Sequence, residues 1–182
     1  KGTYDLGLPS HKSLFEILCD GLKGTMQKYG AIVPWYIMTS RENNDETVAF
    51  FEKNNYFGYP KDGVGMFFKQ GELPMIDESG KLIINEQGLI KEAADGHGGI
   101  FESLYKSGAL EDMKKRGVEW VFVGGVDNVL VKMADPMFIG FAACNNYMVA
   151  SKTIIKAYPE EKVGVFCKKD GKPYVIEYTE IS

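Results

Sequence analysis

The run Trp120-Val-Phe-Val123 limits the possible folds more than any other stretch of the chain. Bulky β-formers in a run too short for a helix, apolar on both alternating faces, predict a strand buried within a sheet. Gly124 and Gly125 follow, removing side chains where the strand should end, so that another backbone or a ligand can come close. Asp127 then falls just past the carboxyl edge, where open α/β sheets hold their ligands. A carboxylate there suits a hard cation such as Mg²⁺ travelling with a phosphate substrate. Without a ligand, the same residue is a cap or turn after the strand.

The flanking segments predict an α/β layer. Ser10 is placed as the N-cap of a helix to about residue 29, with Gly30 as its stop and Leu14, Leu18, Leu22, Met26 and Tyr29 as its buried stripe. Residues 33–38 read as a strand, and Asn43 with Glu46 has the spacing of a capping box before a helix to about residue 54. A second strand is expected over 65–70, and a small hairpin joins 73–76 to 82–84. Asp95-Gly-His-Gly-Gly99 leads into a helix at Ile100. Its glycines expose amides useful around a base or a phosphate, and equally make an ordinary loop before a capped helix.

Residues 107–116 read as another helix closed by Gly117, with Lys114-Lys-Arg116 as a solvated face. Asp135-Pro136 starts a helix to about residue 145. Residues 148–155 and 163–167 are expected to be strands, with Lys169-Asp-Gly-Lys172 a turn from which 174–178 pairs back.

Composition excludes several function classes. A net charge of −4 carries no basic bias, so no general nucleic-acid surface is expected. Cys19, Cys144 and Cys167 are far apart and odd in number, which predicts free thiols in a reducing compartment. His11 and His97 are too widely separated for a zinc site. No apolar run approaches the roughly 20 residues that span a bilayer, so a cytoplasmic, soluble protein is expected. The chain opens on Lys1 without a methionine and stops at Ser182 in a strand-like register, which predicts a part of a larger protein.

Taken together, the segments resemble one family. Lys1-Gly-x-Tyr-Asp-x-Gly-Leu-Pro-Ser10, Pro34-Trp-Tyr-Ile-Met-Thr-Ser40, Phe51-Glu-Lys with Tyr56-Phe-Gly58, and Gln70-Gly-x-Leu-Pro74 come first. Asp95-Gly-His-Gly-Gly99, Val126-Asp-Asn128, Lys132-x-Ala-Asp-Pro136 and Phe138-Ile-Gly-Phe141 follow, then Val163-Gly-Val and Glu177-Tyr-x-Glu-Ile-Ser182. In this order they resemble the eukaryotic-type UDP-sugar pyrophosphorylases, and among them the UDP-N-acetylhexosamine pyrophosphorylases.

That resemblance implies a Rossmann-like mixed sheet flanked by helices, the central catalytic domain of a nucleotidyltransferase. It implies transfer from UTP to a sugar 1-phosphate, giving UDP-sugar and pyrophosphate with Mg²⁺ (or Mn²⁺) as cofactor. Asp127 would hold the metal and nucleotide phosphates, and Lys1 would meet the UTP phosphates. Gln70 would read the uracil edge, and Gly96 and His97 would cover the uridine. Gly164, Glu177 and Tyr178 would line the sugar site; read without the family, they belong to a plain hairpin. The N-acetylhexosamine members usually carry Asn at the position of His97, and the UDP-glucose branch a Gly-His-Gly loop. Glucose 1-phosphate, or a broader set of sugar phosphates, is therefore the alternative substrate. A non-catalytic nucleotide-binding fragment is a further alternative, since the family's Gly-Gly-x-Gly-Thr-Arg loop is expected upstream of Lys1.

Overall fold

The structure, a computed structural model, describes residues 1–180; Ile181 and Ser182 of the last motif lie outside the described residues. The first helix, α1 (Leu14–Tyr29), is capped by Ser13 and not by Ser10. The Ser13 hydroxyl accepts from the Glu16 amide at 3.3 Å, and a bridge between Asp5 and Ser13 fixes the chain just before it. Ser13 and Glu16 have the S-x-x-E spacing of a helix start, a signal that outranks the isolated Ser10. Gly30 ends α1 as expected, at φ 64°; of the expected buried stripe Leu14, Leu18 and Leu22 are buried, whereas Tyr29, in the last turn, is exposed.

Strand β1 (Trp35–Thr39), helix α2 (Asn44–Lys53) and strand β2 (Val64–Lys69) follow, and β1 pairs with β2 in parallel. Parallel neighbours need a crossover connection, which α2 supplies. The strands alternate between two cores. Trp35, Ile37 and Phe67 pack with Leu18, Cys19, Leu22 and Phe51 on one face. Tyr36, Met38, Met66 and Phe68 meet Leu104, Ala109 and Met113 on the other. Phe51 is fully buried, with the rings of Phe15, Trp35, Phe57 and Phe67 at 4.9, 5.4, 5.1 and 5.1 Å. Helices on both faces of a small parallel sheet make this part α/β.

Asn43 does precede α2, yet the expected capping box is not formed. Its carboxamide oxygen accepts from the Ser40 amide at 2.9 Å, while its own amide donates to the Ser40 hydroxyl at 3.2 Å. The side chain is used by this reciprocal turn and makes no bond to the helix amides. Further on, β3 (Glu72–Pro74) pairs antiparallel with β4 (Glu92–Ala94). The hairpin expected between them is reduced to isolated bridges, Ile76 with Leu82 and Ile84 with Ile90. Helices α3 (Ile100–Lys106) and α4 (Ala109–Lys115) are separated at Gly108, which takes φ 80°. Asp135 caps α5 (Pro136–Cys144), its carboxylate accepting from the Met137 amide at 3.2 Å.

The expected central strand is a correction. No strand forms over Trp120-Val-Phe-Val123. Trp120 and Phe122 are half-buried, whereas Val121 and Val123 are 52% and 56% exposed. Phe122 anchors this stretch on the core of α1, α2 and β1, and its ring meets Phe138 edge-on at 6.5 Å. A strand needs a hydrogen-bonded neighbour, and among the described residues no segment pairs with this one; β-propensity alone does not build a ladder. The strand expected over 148–155 is corrected for the same reason: Met148, Val149, Ile154 and Ile155 are all exposed. Among the described residues the strands form three separate two-stranded sheets, not one mixed sheet.

The chain divides into two compact units, Lys1–Phe141 and the part from Ala142 onward. The second carries the hairpin of β5 (Val165–Lys169) and β6 (Lys172–Ile176). Asp170 and Gly171 close it at φ 51° and 76°, the positive values a two-residue hairpin turn demands.

Candidate functional site

Gln70 stands immediately beyond β2, and its amide extends the parallel ladder by donating to the Thr39 carbonyl at 2.7 Å. It therefore occupies the carboxyl edge of two parallel strands, the position the sequence assigned to Asp127. Its carboxamide nitrogen donates to the Gly96 carbonyl at 2.8 Å. Gly96 has φ 81° and ψ −179°, a combination essentially reserved for glycine. Gln70 and the Asp95-Gly-His-Gly-Gly99 loop thus form one surface. Beside it, Ser40, Gln70, Gly71, Glu72 and Lys91 line a hollow of about 300 Å³.

Asp127 sits in a turn in which the Asn128 amide donates to the Gly125 carbonyl at 3.2 Å. A methyl group on Gly125 would come within 2.9 Å of its carboxylate, so the glycine gives room to the Asp127 side chain. Lys1 donates to the Asp127 carboxylate at 3.3 Å across 126 positions of sequence. That hydrogen bond, the backbone amide of Asp127 and the lysine charge hold the carboxyl below its ordinary value, with a smaller pull from His97. The turn reading of Asp127 is thus met, and its carboxylate is left exposed at that turn. Lys1, Asp127, Thr3, Tyr4 and Asp5 border a cavity of about 510 Å³. Lys1 and Asp127 are brought together, and Gln70 reaches the loop that carries His97.

The donor set limits what metal could bind. Among the described residues no three His, Cys, Asp or Glu side chains cluster as a metal cage. A single exposed carboxylate fits a Mg²⁺ ion that keeps its waters and takes most of its other ligands from a nucleotide. It does not fit zinc, which needs three or four protein ligands.

In the second unit, Gly164 faces Glu177: a methyl group on Gly164 would lie 2.9 Å from Val175 and 3.4 Å from the Glu177 carboxylate. The Glu177 amide is held by the Glu180 carboxylate at 3.1 Å, and Tyr178 is 44% exposed. Gly164 and Glu177 are therefore neighbours across the hairpin. Sequence reasoning passed over Asp95 and the Thr3-Tyr4-Asp5 wall of the larger cavity. Asp95 opens the Asp95-Gly-His-Gly-Gly99 motif, but nothing in the sequence says which way its carboxylate turns.

The parallel strands β1 and β2 thus end on Gln70, which is tied to a glycine loop, and the same unit carries a lysine-paired acid in a turn. The family model of UTP–glucose-1-phosphate uridylyltransferase matches residues 1–182. The chain belongs to that family. It is 41% identical to a probable UDP-N-acetylglucosamine pyrophosphorylase of Schizosaccharomyces pombe, covering 100% of this chain and 40% of that protein. It is 43% identical to the human UDP-N-acetylhexosamine pyrophosphorylase-like protein 1, covering 100% and 37%. The crystal structure of the Trypanosoma brucei uridine diphosphate N-acetylglucosamine pyrophosphorylase in complex with an inhibitor superposes with a TM-score of 0.89 at 37% identity, covering 100% of this chain and 38% of that one. The chain thus spans about two fifths of the length of the curated relatives it matches.

Proposed function

We propose that the protein to which these residues belong is a uridylyltransferase joining UTP and N-acetylglucosamine 1-phosphate into UDP-N-acetylglucosamine and pyrophosphate. Two bonded pairs support this reading: Gln70 with Gly96 of the glycine loop, and Lys1 with Asp127. The Gln70 carboxamide can donate and accept at once, the pattern that answers the imide edge of uracil. Gly96, with no side chain, lets the base approach the loop backbone. Lys1 supplies a point charge for phosphate oxygens, and Glu177 with Tyr178 suits a hexose, accepting from hydroxyls and covering apolar C–H groups.

In the reaction, a phosphate oxygen of the sugar 1-phosphate attacks the α-phosphorus of UTP. The bond between that phosphorus and the α–β bridging oxygen breaks, and pyrophosphate carries away the electron pair. Such transfers rest on positioning and charge neutralisation more than on covalent help. Mg²⁺ (or Mn²⁺), held at Asp127, would shield the phosphates so that one anion can approach another. A Rossmann-like mixed sheet and a cytoplasmic location belong to the same proposal. The parallel β1–α2–β2 unit supports the former; for the latter, no described helix is long and apolar enough to cross a membrane.

Glucose 1-phosphate is the second reading, favoured by the Gly-His-Gly sequence at 96–98. The test is UTP turnover by the full-length protein with each sugar phosphate at matched Mg²⁺. Highest kcat/KM with N-acetylglucosamine 1-phosphate is the expected result; a preference for glucose 1-phosphate establishes the second reading, and turnover with neither overturns both.

A further inference from the structure

Asp95 holds a position that the reaction above leaves unused. Its amide donates to the Gly71 carbonyl at 3.0 Å, fastening it to the residue after Gln70. Its carboxylate then lies between two bare backbones: a methyl group on Gly71 or on Gly99 would overlap it. Oδ1 is buried and has no hydrogen-bond partner among the described residues. Above it, the Gly96 carbonyl is shared by the Gln70 carboxamide at 2.8 Å and the Gly99 amide at 3.2 Å. A buried acceptor without a donor is costly, and native proteins leave few of them. Here that cost falls where the strand end carrying Gln70 meets the loop carrying Gly96 and His97.

We propose that Asp95 is a positioning residue for nucleotide binding: its carboxylate, wedged between Gly71 and Gly99, sets the spacing of Gln70 and the Gly96-His97 loop around the uracil. Gly71 and Gly99 are small because this carboxylate fills their space. The unpartnered Oδ1 is the acceptor ready for an amide of the 96–99 turn when that turn closes on a base. Asp95 lies against Gly71 and Gly99 and is not among the groups assigned to the phosphates, so its loss weakens capture of UTP and leaves the chemical step intact. The proposal rests on the uridylyltransferase reading.

The test is steady-state kinetics of the full-length enzyme with both substrates varied. Asp95→Ala is expected to raise the KM for UTP about tenfold, with kcat and the sugar-phosphate KM within about twofold of wild type. Asp95→Asn, which keeps the shape, is expected to restore most of the affinity. Gly99→Ala is expected to raise the same KM, and Asp95→Ala/Gly99→Ala to be no worse than Gly99→Ala alone, because the methyl occupies the space the carboxylate leaves. If Asp95→Ala does not fold, Gly99→Ala decides alone. An unchanged KM for UTP in Asp95→Ala or in Gly99→Ala, equal losses for both substrates, or additive losses in the double variant would overturn the role. A wild-type enzyme that consumes no UTP overturns the function itself, and the role of Asp95 with it.

Discussion

Gln70 and Gly96, 26 positions apart, are tied by one 2.8 Å hydrogen bond that closes the end of a parallel strand against a glycine loop. If this pair reads uracil, removing the carboxamide costs binding and not folding, because Gln70 is only half-buried. Gln70→Ala in the full-length enzyme is expected to raise the KM for UTP about 10- to 100-fold, the size of one lost polar pairing to a base. Its selectivity against CTP should fall as well. Steady-state kinetics with both nucleotides checks this.

Asp127 is exposed and paired with an exposed lysine, so its contribution to stability is small. Asp127→Asn and Asp127→Ala are each expected to lower kcat by about 100-fold or more, since charge neutralisation at a phosphate is worth several kcal/mol. The thermal midpoint should stay close to wild type. Near-normal turnover in either variant would remove Asp127 from the mechanism.

Tyr36, Asp112 and Arg116 clamp β1 to α4: Tyr36 donates to Asp112 at 2.6 Å and Arg116 at 2.7 Å. The Tyr36 bond, then Arg116, hold the Asp112 carboxyl below its ordinary value. A lowered carboxylate stabilises the fold above its unfolded value and loses that contribution as pH falls through its folded value. Burial, and then Asp112, push the Tyr36 phenol up to about 12. Its contribution is complete below the ordinary phenol range and disappears as pH rises to about 12. The melting difference between wild type and Asp112→Asn should be largest near neutrality and shrink toward pH 3. A difference that grows in acid contradicts the clamp.

Phe51 is the aromatic hub of the core on the opposite face of β1 and β2. Phe51→Ala is expected to destabilise the fold by about 3–5 kcal/mol, the cost of a large cavity in a packed core. Phe51→Leu should cost much less. Denaturant midpoints of the two variants give the comparison.

The residues that form local structure were largely legible before the fold. Gly30 stops α1, Asp135-Pro136 starts α5, and Asp170-Gly171 turns the hairpin, because each acts through backbone conformation within a few residues. The strand–helix–strand order followed from two apolar runs separated by a helix, and the parallel pairing came with the fold. What failed was non-local. Trp120-Val-Phe-Val123 has a strand's composition, but composition cannot name a hydrogen-bonding neighbour, and none is found among the described residues. Asn43 has the spacing of a cap, but Ser40 competes for its side chain. At the candidate site, Asp127 was singled out by its place after an apolar run, and Gln70 and His97 by a family resemblance, whereas the Asp95 wedge depends on where a carboxylate points, which no spacing encodes.

The most direct measurement is a crystal structure of the full-length protein with UDP-N-acetylglucosamine bound. The expected result is the uracil edge within hydrogen-bonding distance of the Gln70 carboxamide, the base against Gly96 and His97, and the phosphates directed toward Asp127. A ligand seated elsewhere, with Gln70 and His97 turned away from it, contradicts the assignment.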